Sequence, residues 1–139
     1  MQNEALDLYK ELSEKTVTSV KRLGELNLRT FETMAAKQVE MLQSCVDHGS
    51  KQAEVLTSSR DLKEILSAQA ELSSACAEQF SSNMSETADI LKTAQEELSS
   101  LVEDSVADAK ENMLKAAELG KKNVDEAVKA VKQPAKKAA

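Results

Sequence analysis

The amino-acid sequence predicts an all-α fold: two long amphipathic helices that pair as an antiparallel hairpin or coiled coil, followed by a short disordered basic tail. Three observations predict it. Apolar side chains recur every eleven residues along the first part of the chain. Alanine, leucine, glutamate, lysine and glutamine dominate the composition, which is typical of long helices. Only 3 glycines and 1 proline are available for turns, so no β-sheet is expected.

The eleven-residue repeat defines the first long amphipathic helix, over residues 1–57. Eleven residues make three helical turns, so an apolar stripe with this repeat hardly drifts around the helix. Charged residues such as Glu32, Lys37 and Glu40 fall outside the stripe, which indicates a solvated face. The rows of the stripe are Leu12, Leu23, Met34, Cys45 and Leu56; Tyr9, Val20, Phe31, Leu42 and Ala53; and Leu6, Val17, Leu28 and Val39.

A turn is expected at residues 58–61. Hydroxyl side chains there compete with the backbone for hydrogen bonds, and Asp61 followed by Glu64 has the pattern of a helix-capping box. The second long helix is therefore expected over residues 62–132, where apolar residues continue at three- and four-residue steps. Its candidate breaks are residues 81–83 and Gly120.

Charge is distributed unevenly along the chain, whose net charge is −6. Residues 1–109 hold ten bases and twenty acids, whereas residues 110–139 hold eight lysines and four acids. Residues 133–139 are expected to form the disordered basic tail. So small a positive excess gives only weak, salt-sensitive binding to nucleic acid, which is therefore not expected as a partner.

The sequence contains no group of residues that predicts catalysis. His48 is the only histidine, so neither a histidine-based metal cluster nor a catalytic triad can be assembled. Adjacent acids on a helix point apart, and there is no glycine-rich phosphate loop. We therefore predict a protein that is not an enzyme, with no catalytic, cofactor-binding or metal-binding residues and no cofactor.

The two cysteines, Cys45 and Cys76, lie in apolar rows and are expected to be small buried hydrophobic residues. A disulfide between them would require the two helices to face each other at these positions. No apolar segment is long enough for a secretory signal or a membrane-spanning helix. The expected location is the reducing cytoplasm.

The predicted apolar stripe is wider than one partner helix can cover. Its many small and polar residues also favour loose packing and exchange of partners. We therefore expect other copies of the chain, in a homo-oligomer, or a hydrophobic surface to cover the remainder. The candidate residues for this contact are Leu12, Val20, Leu23, Phe31, Met34, Leu42, Leu56, Leu62, Ile65, Leu72, Phe80, Met84, Leu91 and Leu98.

The region from about Val20 to Val106 resembles a phasin, a small helical protein that coats polyhydroxyalkanoate storage granules in bacteria. The resemblance lies in the first amphipathic helix, in the junction between the helices and in the Ala- and Lys-rich C-terminus. The junction carries most of it, because Asp61 opens the second helix ahead of the Gln69-Ala70-Glu71 sequence. A proline near this aspartate, present in many phasins, is absent here.

The resemblance implies a non-catalytic coat protein that adsorbs to hydrophobic polyester, prevents granules from coalescing and controls their size and number. It also implies a cytoplasmic location on the granule surface, with a polymer synthase or depolymerase as a further candidate partner. The alternative is a structural coiled-coil oligomer or scaffold without a granule surface, in which the same stripe always contacts protein.

Overall fold

Two helices account for nearly all of the described chain. A computed structural model describes residues 2–58 and 60–137. Helix α1 runs over Gln2–Ser58 and helix α2 over Leu62–Lys137. The described residues contain no strand. The predicted all-α fold with two long helices is confirmed.

Asp61 marks the start of α2 by capping it. Its carboxylate Oδ1 accepts a hydrogen bond from the backbone N–H of Lys63 at 3.0 Å, and its carbonyl accepts one from Ile65 at 3.1 Å. A side-chain acceptor at this position satisfies a backbone donor that has no partner inside the helix. The cap fixes where the second helix begins, while Ser59 of the predicted turn lies outside the described residues.

Helix α2 is continuous through both candidate breaks, residues 81–83 and Gly120. The polar side chains near the first break bond within the helix: Ser82 Oγ donates to Glu86 at 3.0 Å, and Thr87 Oγ1 donates to the Asn83 carbonyl at 2.8 Å. The Ser82 hydroxyl is therefore bonded to another side chain of the same helix and does not compete for a backbone group.

The C-terminal part of α2 extends beyond its expected end. The helix continues to Lys137, whereas the sequence predicts a disordered tail over residues 133–139. Lysine, glutamine and alanine in this segment are strong helix formers, and their helical propensity does not depend on the charge of the segment. The last two residues of the expected tail, Ala138 and Ala139, lie outside the described residues.

The chain divides into two compact units, each with a segment of both helices. The first unit contains Met1–Glu25 and Leu98–Ala139. Here Glu11 accepts a hydrogen bond from Lys115 at 2.7 Å, and Arg22 donates to Asp104 at 3.2 Å. A later residue of α1 thus contacts an earlier residue of α2, so the two segments of this unit run antiparallel.

The second unit is Leu26–Glu97, and its two helical segments are also antiparallel. Arg29 forms an ion pair with Glu97, and Lys37 forms one with Glu86. The antiparallel pairing expected for a hairpin is therefore present within each unit.

The surface of α1 that faces α2 differs from the predicted stripe. Most of the buried and half-buried positions of α1 also recur in elevens, and these lie about 50° around the helix from the Leu12 row, at about 100° per residue. We call these positions the seam of α1. They are Leu8, Ser19, Thr30 and Met41, together with Lys15, Leu26, Lys37 and His48.

Two sequence expectations are wrong because of this rotation. Lys37 is buried in the seam, with 6% of its surface exposed, and does not lie on a solvated face. Cys45 and Cys76 are free and exposed because they lie beside the seam. The ion pairs give the reason: the bases of α1 point at acids of α2, and this pairing turns the apolar rows away from the contact.

Candidate functional site

Most of the large apolar side chains among the described residues are exposed. Leu26 is the one buried hydrophobic residue among those described, and twenty-five large hydrophobic side chains are exposed. The candidate functional site is therefore an exposed apolar face.

The structure places most of the predicted stripe residues on this exposed face. Met34, Ile65 and Leu72 are half-buried between the helices. Their role in binding stays a prediction. The exposed members of the predicted set are Leu12, Val20, Leu23, Phe31, Leu42, Leu56, Leu62, Phe80, Met84, Leu91 and Leu98.

In the first unit, both helices contribute to one apolar groove. The groove has a volume of about 340 Å³, and Val20 and Leu23 of α1 line one wall. Leu98, Val102 and Val106 of α2 line the opposite wall. The two apolar rows therefore lie on the same side of the helix pair, where they form one continuous apolar surface.

The same geometry holds in the second unit. Phe31 and Leu42 on α1 are exposed, as are Phe80, Met84 and Leu91 on α2. On each helix these residues are displaced from the buried positions in the same rotational sense. Because the two segments run antiparallel, equal rotation brings both rows to one side of the pair.

An ionic edge lies along the other side of the first unit. Lys15 Nζ approaches Asp108 Oδ1 at 3.2 Å and Glu111 Oε2 at 3.5 Å. Lys115 bonds to Glu11 and Glu111, which raises the lysine pKa, and its hydrogen bonds hold the pKa of both carboxyls below their ordinary value. The charged forms of these groups therefore favour pairing of the two helices.

Lys37 occupies the corresponding place in the second unit. Its ammonium group donates to Glu86 and, at 3.1 Å, to Glu40. The hydrogen bond to Glu86 raises the pKa of Lys37 against the opposing effect of desolvation, and the same bond, with one from Ser82, lowers the pKa of Glu86. Because ion pairs join the two helices here, the exposed apolar residues beside the seam can contact something other than the partner helix.

Sequence reasoning missed the polar character of the seam. Two asparagines of α2, Asn83 and Asn112, are buried, with 4% and 7% of their surfaces exposed. The amide of Asn112 has no hydrogen-bond partner on either its nitrogen or its oxygen. Lys15 and Lys37 lie two eleven-residue repeats apart, and this spacing is the signal in the sequence that places both lysines in the seam. The apolar rows beside them have more members, so the sequence predicts that those rows form the seam.

Neither a metal-ligand cluster nor a candidate membrane-spanning segment is found among the described residues. No cluster of three or more His, Cys, Asp or Glu side chains suited to a metal is present within residues 2–58 and 60–137. Neither helix, over its described length, has a segment apolar enough to cross a bilayer.

The chain is similar to known proteins in two comparisons, one with protein-family models and one with individual proteins. A family model for phasin proteins matches residues 9–106, which confirms the resemblance noted in the sequence. An uncharacterized protein of Allochromatium vinosum is 25% identical over 113 residues, covering 81% of this chain and 94% of that protein. No solved structure is significantly similar to the chain. With most of its length matched by the family model, the chain belongs to the phasin family of non-catalytic proteins associated with polyhydroxyalkanoate granules.

Proposed function

We propose that this protein coats polyhydroxyalkanoate granules by laying its apolar face on the polyester, so that it prevents coalescence and controls granule size and number. The observation that carries the proposal is the exposure of twenty-five large hydrophobic side chains around a seam with one buried hydrophobic residue, Leu26. Exposed apolar surface on this scale is typical of a binding face.

The energy available from this face is sufficient for firm and reversible adsorption. Burying the exposed half of one Leu, Val or Phe side chain is worth about 1 kcal/mol. Eight such side chains give ~8 kcal/mol, which corresponds to about micromolar affinity before the cost of ordering is subtracted. The first unit alone exposes six from α1, namely Leu6, Tyr9, Leu12, Val17, Val20 and Leu23.

The charged side of the helix pairs supports the proposal that the protein prevents granules from coalescing. With the apolar face on the polymer, the ionic edge and the remaining acids face water, and the chain carries a net charge of −6. Coated granules of like charge repel one another, which opposes coalescence.

In the absence of polymer, we propose that copies of the chain cover one another's apolar faces in a homo-oligomer. The groove between Val20, Leu23 and Val102 in the first unit is a suitable contact. The coiled-coil scaffold is the competing function, since it would use the same face for protein contacts alone. Sedimentation with and without polyester particles separates the two, because only a coat protein leaves the oligomer to bind the particles.

Two variants that place the same charge on different sides of α1 test the proposal. Phe31→Glu changes a side chain that is 72% exposed on the apolar face. Ala36→Glu is the matched control, since Ala36 is also exposed and lies about 140° around the helix from Phe31. Binding to polyhydroxybutyrate beads is measured by depletion of protein from solution.

We expect Phe31→Glu to weaken bead binding about tenfold, because the loss of apolar contact and the cost of desolvating a carboxylate exceed about 1.4 kcal/mol. Ala36→Glu should bind as the unchanged protein does. Equal binding by both variants, or an unchanged protein that stays wholly in solution, would contradict the proposal.

A further inference from the structure

The outer face of α2 carries a row of lysines in the first unit. Lys110, Lys121 and Lys132 are exposed and lie at eleven-residue intervals. At about 100° per residue, they lie about 140° to 180° around the helix from the half-buried Leu119, so they point away from α1. Among the ion pairs of the described residues, none includes these three lysines. We call them the lysine row.

This end of α2 is positively charged. Residues 110–139 hold eight lysines and four acids, which gives a net charge of +4. Glu118 and Asp125 lie near the lysine row and reduce its charge without cancelling it. Every side chain from Lys121 to Lys132 is exposed, so α1 does not cover this part of the helix. The lysine row is therefore accessible to an acidic partner.

The outer face of α2 carries acids in the second unit. Residues 62–97 hold seven acids and two lysines, which gives a net charge of −5. Three of these acids are exposed and lie about 100° to 140° around the helix from the half-buried Leu72 and the buried Asn83. They are Glu71, Glu78 and Asp89, and within the described part of the chain none of them takes part in an ion pair. We call them the acidic row.

The two rows match in charge, in exposure and in spacing. Glu78 and Asp89 are eleven residues apart, which is also the interval of the lysine row. Two lysines can therefore meet two acids at one register, with the two contacts about 16 Å apart along the helices. Both rows lie on one continuous helix. Because residues more than twenty positions apart on the same helix cannot touch, a lysine row can meet an acidic row only on another copy of the chain.

We propose that the lysine row of one copy binds the acidic row of a second copy. The contact uses neither the seam nor the apolar face, so it differs from an oligomer in which copies cover one another's apolar faces. Exposed ion pairs are individually weak and are screened by salt, but copies that lie close together on one surface have a high local concentration, which favours a weak contact. In the proposed granule coat, on which this consequence rests, the contact joins neighbouring copies while their apolar faces stay on the polymer.

The first test maps the contact in solution with the full-length protein, so it does not depend on granule binding. Equal amounts of isotopically labelled and unlabelled protein are mixed at high protein and low salt concentration and treated with a carbodiimide, which joins a lysine to a carboxylate that touches it. We expect mixed-isotope peptides that link the lysine row to the acidic row, and we expect high salt to remove them. If no such mixed peptide forms at low salt, the proposal is wrong.

Charge reversal with rescue is the second test. One variant reverses the lysine row by Lys110→Glu, Lys121→Glu and Lys132→Glu. The other reverses the acidic row by Glu71→Lys, Glu78→Lys and Asp89→Lys. Sedimentation equilibrium at low salt should show that each variant alone associates about tenfold more weakly than the unchanged protein, because each attraction becomes a repulsion. An equal mixture of the two should recover the association, since the reversed rows again carry opposite charges.

The matched control makes the same change in net charge on α1. Lys10→Glu, Lys21→Glu and Lys51→Glu replace three exposed lysines outside both rows. This variant should associate more strongly than the lysine-row variant, although both carry the same net charge. Equal weakening of the two would indicate general repulsion and overturn the proposal, as would a mixture that does not recover. Retardation of duplex DNA that needs the lysine row, without association between copies, would assign the row to nucleic acid instead.

Discussion

Lys37 of α1 is buried against α2 and donates a hydrogen bond to Glu86, so a charged pair occupies a place where a helix hairpin usually has an apolar one. Only 7% of the Lys37 side chain is exposed, whereas 53% of Glu86 is exposed. The aliphatic stem of the lysine packs in the seam while its ammonium group reaches the edge. This arrangement makes helix pairing depend on charge.

Substitutions of Lys37 should separate its packing from its charge. Lys37→Ala removes both the packed aliphatic stem and the charge, so it should lower the midpoint of thermal unfolding, measured by circular dichroism. Lys37→Met keeps most of the stem volume but removes the charge, so it should unfold between Lys37→Ala and the unchanged protein, because Glu86 is 53% exposed and can be hydrated when its partner is lost. If the two variants are destabilised equally, charge rather than packing governs this position.

Acid should weaken helix pairing while leaving the neutral range unaffected. The pKa values of Glu11, Glu86 and Glu111 are lowered from 4.5 by hydrogen bonds to lysines. Their contribution is therefore fully present above pH 4.5 and is lost as the pH falls towards the folded-state pKa. Thermal midpoints measured in steps from pH 7 to pH 3 should fall below about pH 4.5.

The matched control for this acid dependence is Glu86→Gln, in which one of the three carboxyls no longer titrates. The midpoint of this variant should fall less on acidification than that of the unchanged protein. An unchanged protein whose midpoint stays flat down to pH 3 would show that these hydrogen bonds add nothing to stability.

Alkali should weaken the pairing from the lysine side. The pKa values of Lys15, Lys37 and Lys115 are raised above 10.5 by their carboxylate partners. The stability they contribute is fully present below pH 10.5 and is lost as the pH rises through the folded-state values. The thermal midpoint should therefore stay level between about pH 5 and pH 10 and decline above it, which a drop inside that range would contradict.

Replacement of Asn112 should stabilise the first unit. Its buried amide has no hydrogen-bond partner, and an unsatisfied buried polar group costs about 1–3 kcal/mol. Asn112→Leu removes that cost, so we expect a gain of about 1–2 kcal/mol in chemical denaturation. Asn123→Leu at an exposed position of the same helix is the control. A loss of stability in Asn112→Leu would mean that ordered water satisfies the amide.

Adsorption to polyester should resist salt. Burial of apolar surface does not weaken as ionic strength rises, whereas attraction between exposed charges is largely screened. The bead-bound fraction should therefore be equal or greater at high sodium chloride concentration than at low. Release of the protein by salt would indicate that exposed bases such as Arg22 and Arg29 bind the particles.

The sequence was sufficient for the elements of this fold because they depend on local chemistry. The eleven-residue rows predict α1, and the Asp61 cap predicts the start of α2. The same rows identified Phe31 and Leu23 as candidates for contact with something outside the chain, and the structure leaves both exposed. The family was also recognisable, since its resemblance lies in the junction sequence.

Only the tertiary structure decided which side of each helix meets the other. The sequence favoured the apolar rows for the seam, since hydrophobic periodicity is a local signal. The seam instead contains Leu26 beside Lys15 and Lys37, because ion pairs between residues 49 to 104 positions apart orient the helices. Such partners cannot be read from a helical repeat, which records the spacing of residues along one helix but not the rotation of that helix against another.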